Sequence, residues 1–189
     1  MMTAKGFRPS TRLLLASLLL TAGLVTGCAT PQIADYAAEK PVLDMRQYFN
    51  GNIDAYGVFT DRSGKVVKRF TVLMKCSWEG PVGQEVGTLD EDFAYSDGTK
   101  GRRIWTLKRG ADGRYSGTAA DVVGQASGEE KGNAFHWGYT LNLPVDGKTI
   151  EVQFDDWMYL MSDKVMLNKA EMRKYGFKLG EVTLSFVKR

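Results

Sequence analysis

Histidine, cysteine and proline are scarce in this chain. Its 189 residues include one His, two Cys and five Pro. One histidine, His136, and no cysteine pair beyond residue 30 leave no His/Cys set for a tetrahedral zinc site. A long apolar helix is missing too. The charge-free run over residues 13–25 holds thirteen residues, and a bilayer-crossing helix needs about 20. Charge of one sign is also lacking: 25 basic residues face 22 acidic ones. That balance gives no electrostatic footprint for nucleic acid. Asp90-Glu91-Asp92 lacks the spacing and glycine of a calcium loop, so no metal and no cofactor is implied.

The N-terminus is the first positive signal. Lys5, Arg8 and Arg12 form a basic segment without an acid, and residues 13–25 follow as an apolar stretch. Leu24-Val25-Thr26-Gly27-Cys28 then resembles the lipobox of bacterial lipoproteins. That resemblance implies a signal peptide over 1–27 and a diacylglyceryl group on the Cys28 thiol. One acyl chain binds membranes marginally, whereas the several chains of mature lipoproteins hold firmly. Ala29 stands where an aspartate would mark inner-membrane retention. The resemblance therefore implies the periplasmic face of the outer membrane of a bacterial envelope, with the membrane as first partner. Residues 28–40 are then a lipidated tether and 41–189 a single domain. Losing three bases leaves that mature chain with 22 basic and 22 acidic residues. Cys76 has no intramolecular partner and is expected to be a small core residue.

From Pro41 onward the chain alternates. Val66, Phe70, Val72, Met74, Cys76 and Trp78 share one strand face, with Arg69, Thr71, Lys75 and Ser77 on the other. Turn signals recur at Asp61-Arg62-Ser63-Gly64, Ser96-Asp97-Gly98, Ala111-Asp112-Gly113 and Asp146-Gly147. The last predicts a hairpin between Phe135–Leu143 and Ile150–Asp155. Only residues 168–175 read as helix, with Asn168 as cap, bases in the last turn and Gly176 just beyond. The expected fold is all-β: an antiparallel up-and-down barrel of about 8–10 strands with one short C-terminal helix over 168–175. Closing into a barrel removes the exposed edges of such a meander. A small barrel is either filled by side chains or holds one ligand.

Several blocks carry a further resemblance. They are Tyr48-Phe49-Asn50-Gly51, Leu89-Asp90-Glu91-Asp92-Phe93, Asp121-Val122-Val123-Gly124, Asp155-Asp156-Trp157-Met158-Tyr159-Leu160 and Tyr175-Gly176-Phe177-Lys178-Leu179-Gly180. Together they resemble the proteobacterial lipoproteins grouped as domain of unknown function 3833 (DUF3833). The resemblance spans nearly the whole mature chain and brings no catalytic residues. It implies a calycin-like barrel, the architecture of lipocalins, by analogy of fold.

Four charges fall on apolar strand faces: Lys68, Glu91, Asp121 and Asp156. A buried lone charge costs several kcal/mol, about 3 or more, so each needs a partner or water. Either they form a polar floor inside the barrel that orients a ligand head group, or they mark bulges and strand ends where the face switches. Asp155 and Asp156 are neighbours on a strand and point to opposite faces, which works against a two-carboxylate catalytic pair. His136 falls on the polar face with no recognisable nucleophile. Trp157 and Tyr159 share the face opposite Phe154 and Met158 and form a candidate contact patch. The reading is a lipid-anchored, non-catalytic binder of a lipid, fatty acid or other apolar small molecule. The rival is an accessory envelope lipoprotein with a filled barrel acting through protein contacts. An enzyme acting on envelope lipids is the third reading, and it lacks a catalytic set.

Overall fold

Ten antiparallel strands, each paired with its sequence neighbours, close on themselves into one barrel. The computed structural model describes residues 30–145 and 147–189. The expectations on the signal segment, Cys28, Ala29 and Asp146 lie outside these residues. The strands are β1 (Gly51–Asp61), β2 (Val66–Glu79), β3 (Val86–Tyr95), β4 (Lys100–Arg109) and β5 (Tyr115–Thr118). There follow β6 (Ala126–Lys131), β7 (Ala134–Val145), β8 (Lys148–Leu160), β9 (Val165–Lys174) and β10 (Phe177–Lys188). Closure is made by β1 and β10, in register from Ile53↔Lys188 to Asp61↔Gly180. The longest hairpin, β7–β8, pairs from Ala134↔Tyr159 to Val145↔Lys148, as the alternation predicts. Among the described residues no helix is long and apolar enough to cross a membrane.

Up-and-down order puts alternate turns at opposite ends. Residues 62–65, 96–99, 119–125 and 175–176 and the β7–β8 turn lie at one end, here the upper one. Residues 80–85, 110–114, 132–133 and 161–164 lie at the lower end. The lower end is plugged. A single helical turn, α1 (Met45–Tyr48), is capped by Asp44, whose Oδ1 accepts from the Gln47 N–H at 3.0 Å. Met45 and Tyr48 of this turn are buried, as are the flanking Leu43 and Phe49. The Tyr48 hydroxyl donates to the carbonyls of Lys164 and Phe186, both at 3.1 Å. The Trp78 indole donates to the Phe49 carbonyl at 2.8 Å. Ile53, Met74, Cys76, Leu160, Met166 and Phe186 complete this packed half. Cys76 is a free, buried thiol, and burial pushes its pKa up to about 12.

Glycine shapes the wall where large rings must lie flat. A Cβ on Gly57 would stand 2.4 Å from the Phe70 ring, so glycine there admits the ring across β1. Ile33–Tyr36, in the segment read as a tether, forms a 3-10 turn on the outer wall. Gly132, at φ +52, receives its backbone: a Cβ there would stand 1.7 Å from the Tyr36 carbonyl oxygen.

The expected helix over 168–175 is corrected. Residues 165–174 are strand β9, paired with β8 on one side and β10 on the other. Met166, Asn168 and Ala170 are buried, while Leu167, Lys169 and Arg173 are exposed, a period of two. Good helix formers yield here because two neighbouring strands satisfy every backbone group. The capping signals have other uses. Asn168 points into the barrel, and Tyr175 and Gly176, at φ 51 and 81, form a two-residue turn of the kind that requires positive φ at both positions.

Candidate functional site in the upper barrel

Above the packed half the inner faces stay largely apolar, with Phe70, Leu141, Val152, Phe154 and Val182 buried, and a small polar cluster is set among them. Glu91 on β3 and Asp156 on β8 are buried among apolar neighbours, at 9% and 4% exposure. Arg103 on β4 is the cross-strand partner of Glu91. Its Nε and Nη2 donate to the Asp121 carboxylate at 2.7–3.1 Å, and its Nη1 stands 3.9 Å from Glu91. The guanidinium also lies 5.6 Å from the Phe93 ring centre and 6.0 Å from that of Trp105. On the other side, the Tyr139 hydroxyl donates to Asp156 at 2.9 Å. The Asn168 amide donates to Asp156 as well, and to the Trp157 carbonyl at 3.1 Å.

A break in the wall explains where Asp121 sits. Strand β5 is short: its last residue, Thr118, pairs with Thr106, and β4 above that point has no partner on this side. Residues 119–125 pair with β7 instead. The Val123 N–H donates to Thr140 O and the Asn142 N–H to Asp121 O, both at 2.8 Å. The Arg103–Asp121 ion pair spans the gap between β4 and this segment. Its side chains are 22% and 34% exposed, so water reaches the cluster here.

Burial sets the electrostatics. It pushes the Glu91 carboxyl up to about 7; Arg103 works against the shift, and Asp121 and Asp156 add to it. It pushes Asp156 up to about 6 despite Tyr139, Trp137 and Asn168, whose donors all work against the shift. Burial and the adjacent Asp156 charge hold the Tyr139 phenol well above its usual value. For Arg103, burial disfavours the charge, but Asp121 and Glu91 outweigh it and keep the guanidinium charged. Two buried carboxyls with raised pKa values, beside an ion pair that water reaches, make this cluster the candidate site. Among the described residues no group of three or more His, Cys, Asp or Glu is arranged to hold a metal ion.

Of the four charges singled out in the sequence, Glu91 and Asp121 lie beside Arg103, and Asp156, held by Tyr139 and Asn168, is near enough to Glu91 to raise its pKa. Lys68 does not join them. It sits at the upper rim, 2.8 Å from Asp97, with its ammonium 5.1 Å from the Tyr95 ring centre. Arg103, Tyr139 and Asn168 were missed as site residues. Arg103 carried a signal, since it is in phase with Trp105 and Leu107 on the inner face.

Trp157 and Tyr159 face outward as expected, but they are half-covered. Tyr36 lies 5.6 Å from Trp157 and 5.4 Å from Tyr159, ring centre to ring centre. His136 stacks on Trp157 at 4.0 Å, and its Nε2 is 2.5 Å from Asp155 Oδ1, on the outer face. The most exposed aromatic pair is elsewhere, at the β9–β10 tip: Tyr175 at 83% and Phe177 at 75%. The largest depression described is not at the cluster. It is an open groove of about 770 Å³, and Tyr56, Val58, Thr71, Leu167 and Ser185 line it on the outer faces of β1, β2, β9 and β10. Arg69 and the inner-face side chains Phe70, Tyr95 and Leu184 line it as well, and its surface is mostly apolar.

A family model described as "Protein of unknown function (DUF3833)" matches residues 22–188. No curated protein matches the chain. The crystal structure of a Nitrosomonas europaea protein provisionally named AttH aligns with 80% of this chain at 9% identity and a TM-score of 0.24. The alignment spans 56% of that protein, so this chain covers little more than half its length. A likeness at that level does not define a shared fold.

Proposed function

We propose that this chain, which belongs to the DUF3833 family of proteins of unknown function, binds an amphiphilic small molecule in the upper half of its barrel. In this proposal it works at the periplasmic face of the outer membrane, held there by acylated Cys28. One observation carries the binding role. The cluster of Glu91, Arg103, Asp121 and Asp156 is buried yet reached by water through the break beside β4, and Phe93, Tyr95, Trp105 and Tyr139 surround it. Buried charge contributes little to stability by itself. A ligand head group gives such a cluster a use, and the half-exposed aromatics offer apolar surface to a chain or ring.

The test is native mass spectrometry of the full chain purified from membranes of its host, followed by lipid extraction. The reading expects a released non-covalent amphiphile in addition to the covalent anchor mass. A protein that carries nothing and takes up no added amphiphile would sink it. A second reading is supported by the packed lower half and by the exposed Tyr175 and Phe177: an accessory envelope lipoprotein that acts through protein contacts. It expects Tyr175→Ser with Phe177→Ser to abolish cross-linking to a neighbouring envelope protein.

A further inference from the structure

We infer that the upper-barrel cluster selects an amphiphile whose head group donates hydrogen bonds and bears no negative charge, an alcohol or an amine, over a fatty acid of equal chain length. This rests on the binding role proposed above and names the ligand chemistry of that same site.

The balance of charge and donors decides it. Glu91 and Asp121 stand beside one guanidinium, and Asp156 is close enough to Glu91 to add its negative charge there. Arg103 commits Nε and Nη2 to Asp121. The inner-face lysine, Lys68, is held by Asp97 at the rim. A fatty-acid carboxylate would enter as a fourth negative charge and find most donors engaged. Acceptors, by contrast, are in surplus. Glu91 is 9% exposed, and among the described residues none donates a hydrogen bond to its carboxyl, Arg103 Nη1 standing too far away at 3.9 Å.

An independent feature points the same way. Trp137 is 5% exposed, and its buried Nε1–H is directed to Asp156, whose pKa it helps to lower, without reaching full hydrogen-bond geometry. It stands in register with Asp156, and its ring lies 4.7 Å from Trp105 and 5.1 Å from Tyr139. A buried N–H without a well-formed bond is rare and calls for an explanation. An alcohol oxygen offers it lone pairs, and an alcohol or ammonium offers Glu91 the donor it lacks. A carboxylate serves the indole and leaves Glu91 worse off.

The test is competition on the full-length protein in detergent, read by native mass spectrometry. Equal amounts of a sixteen-carbon alcohol, amine and fatty acid are offered to the wild type and to Glu91→Gln. The wild type is expected to retain alcohol and amine over the acid by about tenfold or more, an easily resolved difference in affinity. Glu91→Gln should narrow that ratio severalfold. Equal or better retention of the fatty acid overturns the inference but leaves the binding role standing. So does a preference that Glu91→Gln does not change. Retention of none of the three overturns the binding role and the inference with it.

Discussion

Glu91→Gln isolates the free energy of one buried charge. In the folded protein, burial raises the Glu91 pKa from the usual 4.5 to about 7. The folded state thus holds this proton more tightly than the unfolded chain does. The resulting stabilisation is fully present below about pH 4.5 and is lost as the pH rises through about 7. At about 1.4 kcal/mol per unit, the difference is about 3 kcal/mol. Glutamine keeps the size and cannot ionise. The variant should therefore match the wild type near pH 4 and exceed it by about 3 kcal/mol at pH 8. Urea denaturation followed by tryptophan fluorescence at several pH values measures this directly. A variant less stable than the wild type at pH 8 would refute the reasoning, because it would mean that Arg103 more than offsets the burial of Glu91. A difference that does not vary with pH would refute it too.

Three further outcomes follow from the same structure. Gly132→Ala should lift the 3-10 turn off the wall, because its Cβ would collide with the Tyr36 carbonyl and its backbone is left-handed, a cost of about 1–2 kcal/mol before any contact is lost; limited proteolysis within residues 33–42 reads it out. The Cys76 thiol, raised to about 12 and buried, should resist a thiol reagent at pH 8 until denaturant is added, and rapid labelling of the native protein would contradict its place in the core. Cys28→Ala should move the protein from the membrane to the soluble fraction; normal processing and unchanged membrane association would exclude the lipid anchor.

Alternation and turn chemistry carried most of the fold. Asp61-Arg62-Ser63-Gly64 and Ser96-Asp97-Gly98 are hairpin turns, and the long β7–β8 pairing follows the apolar positions residue by residue. Residues 168–175 misled because local propensity and capping favour a helix, while pairing with β8 and β10 is a tertiary effect that no local window contains. The site was half legible. Glu91, Asp121 and Asp156 stood out as charges in phase with apolar residues. Arg103 was overlooked although its phase with Trp105 and Leu107 marks it as inward; its neighbour Arg102 turns outward to Asp90, at 2.7 Å. The break beside β4 was invisible: it depends on where β5 stops pairing, not on its composition.

The central claim is that the upper half of the barrel, around Glu91 and Arg103, holds an amphiphile. Hydrogen–deuterium exchange of the full chain with and without the amphiphile extracted from it tests this most directly. The account predicts slowed exchange in the upper parts of β3, β4, β7 and β8 and in residues 119–125, with no change around Tyr48 and Phe49. Protection confined to the outer groove beside Tyr56 and Leu167, or no protection anywhere, would contradict it.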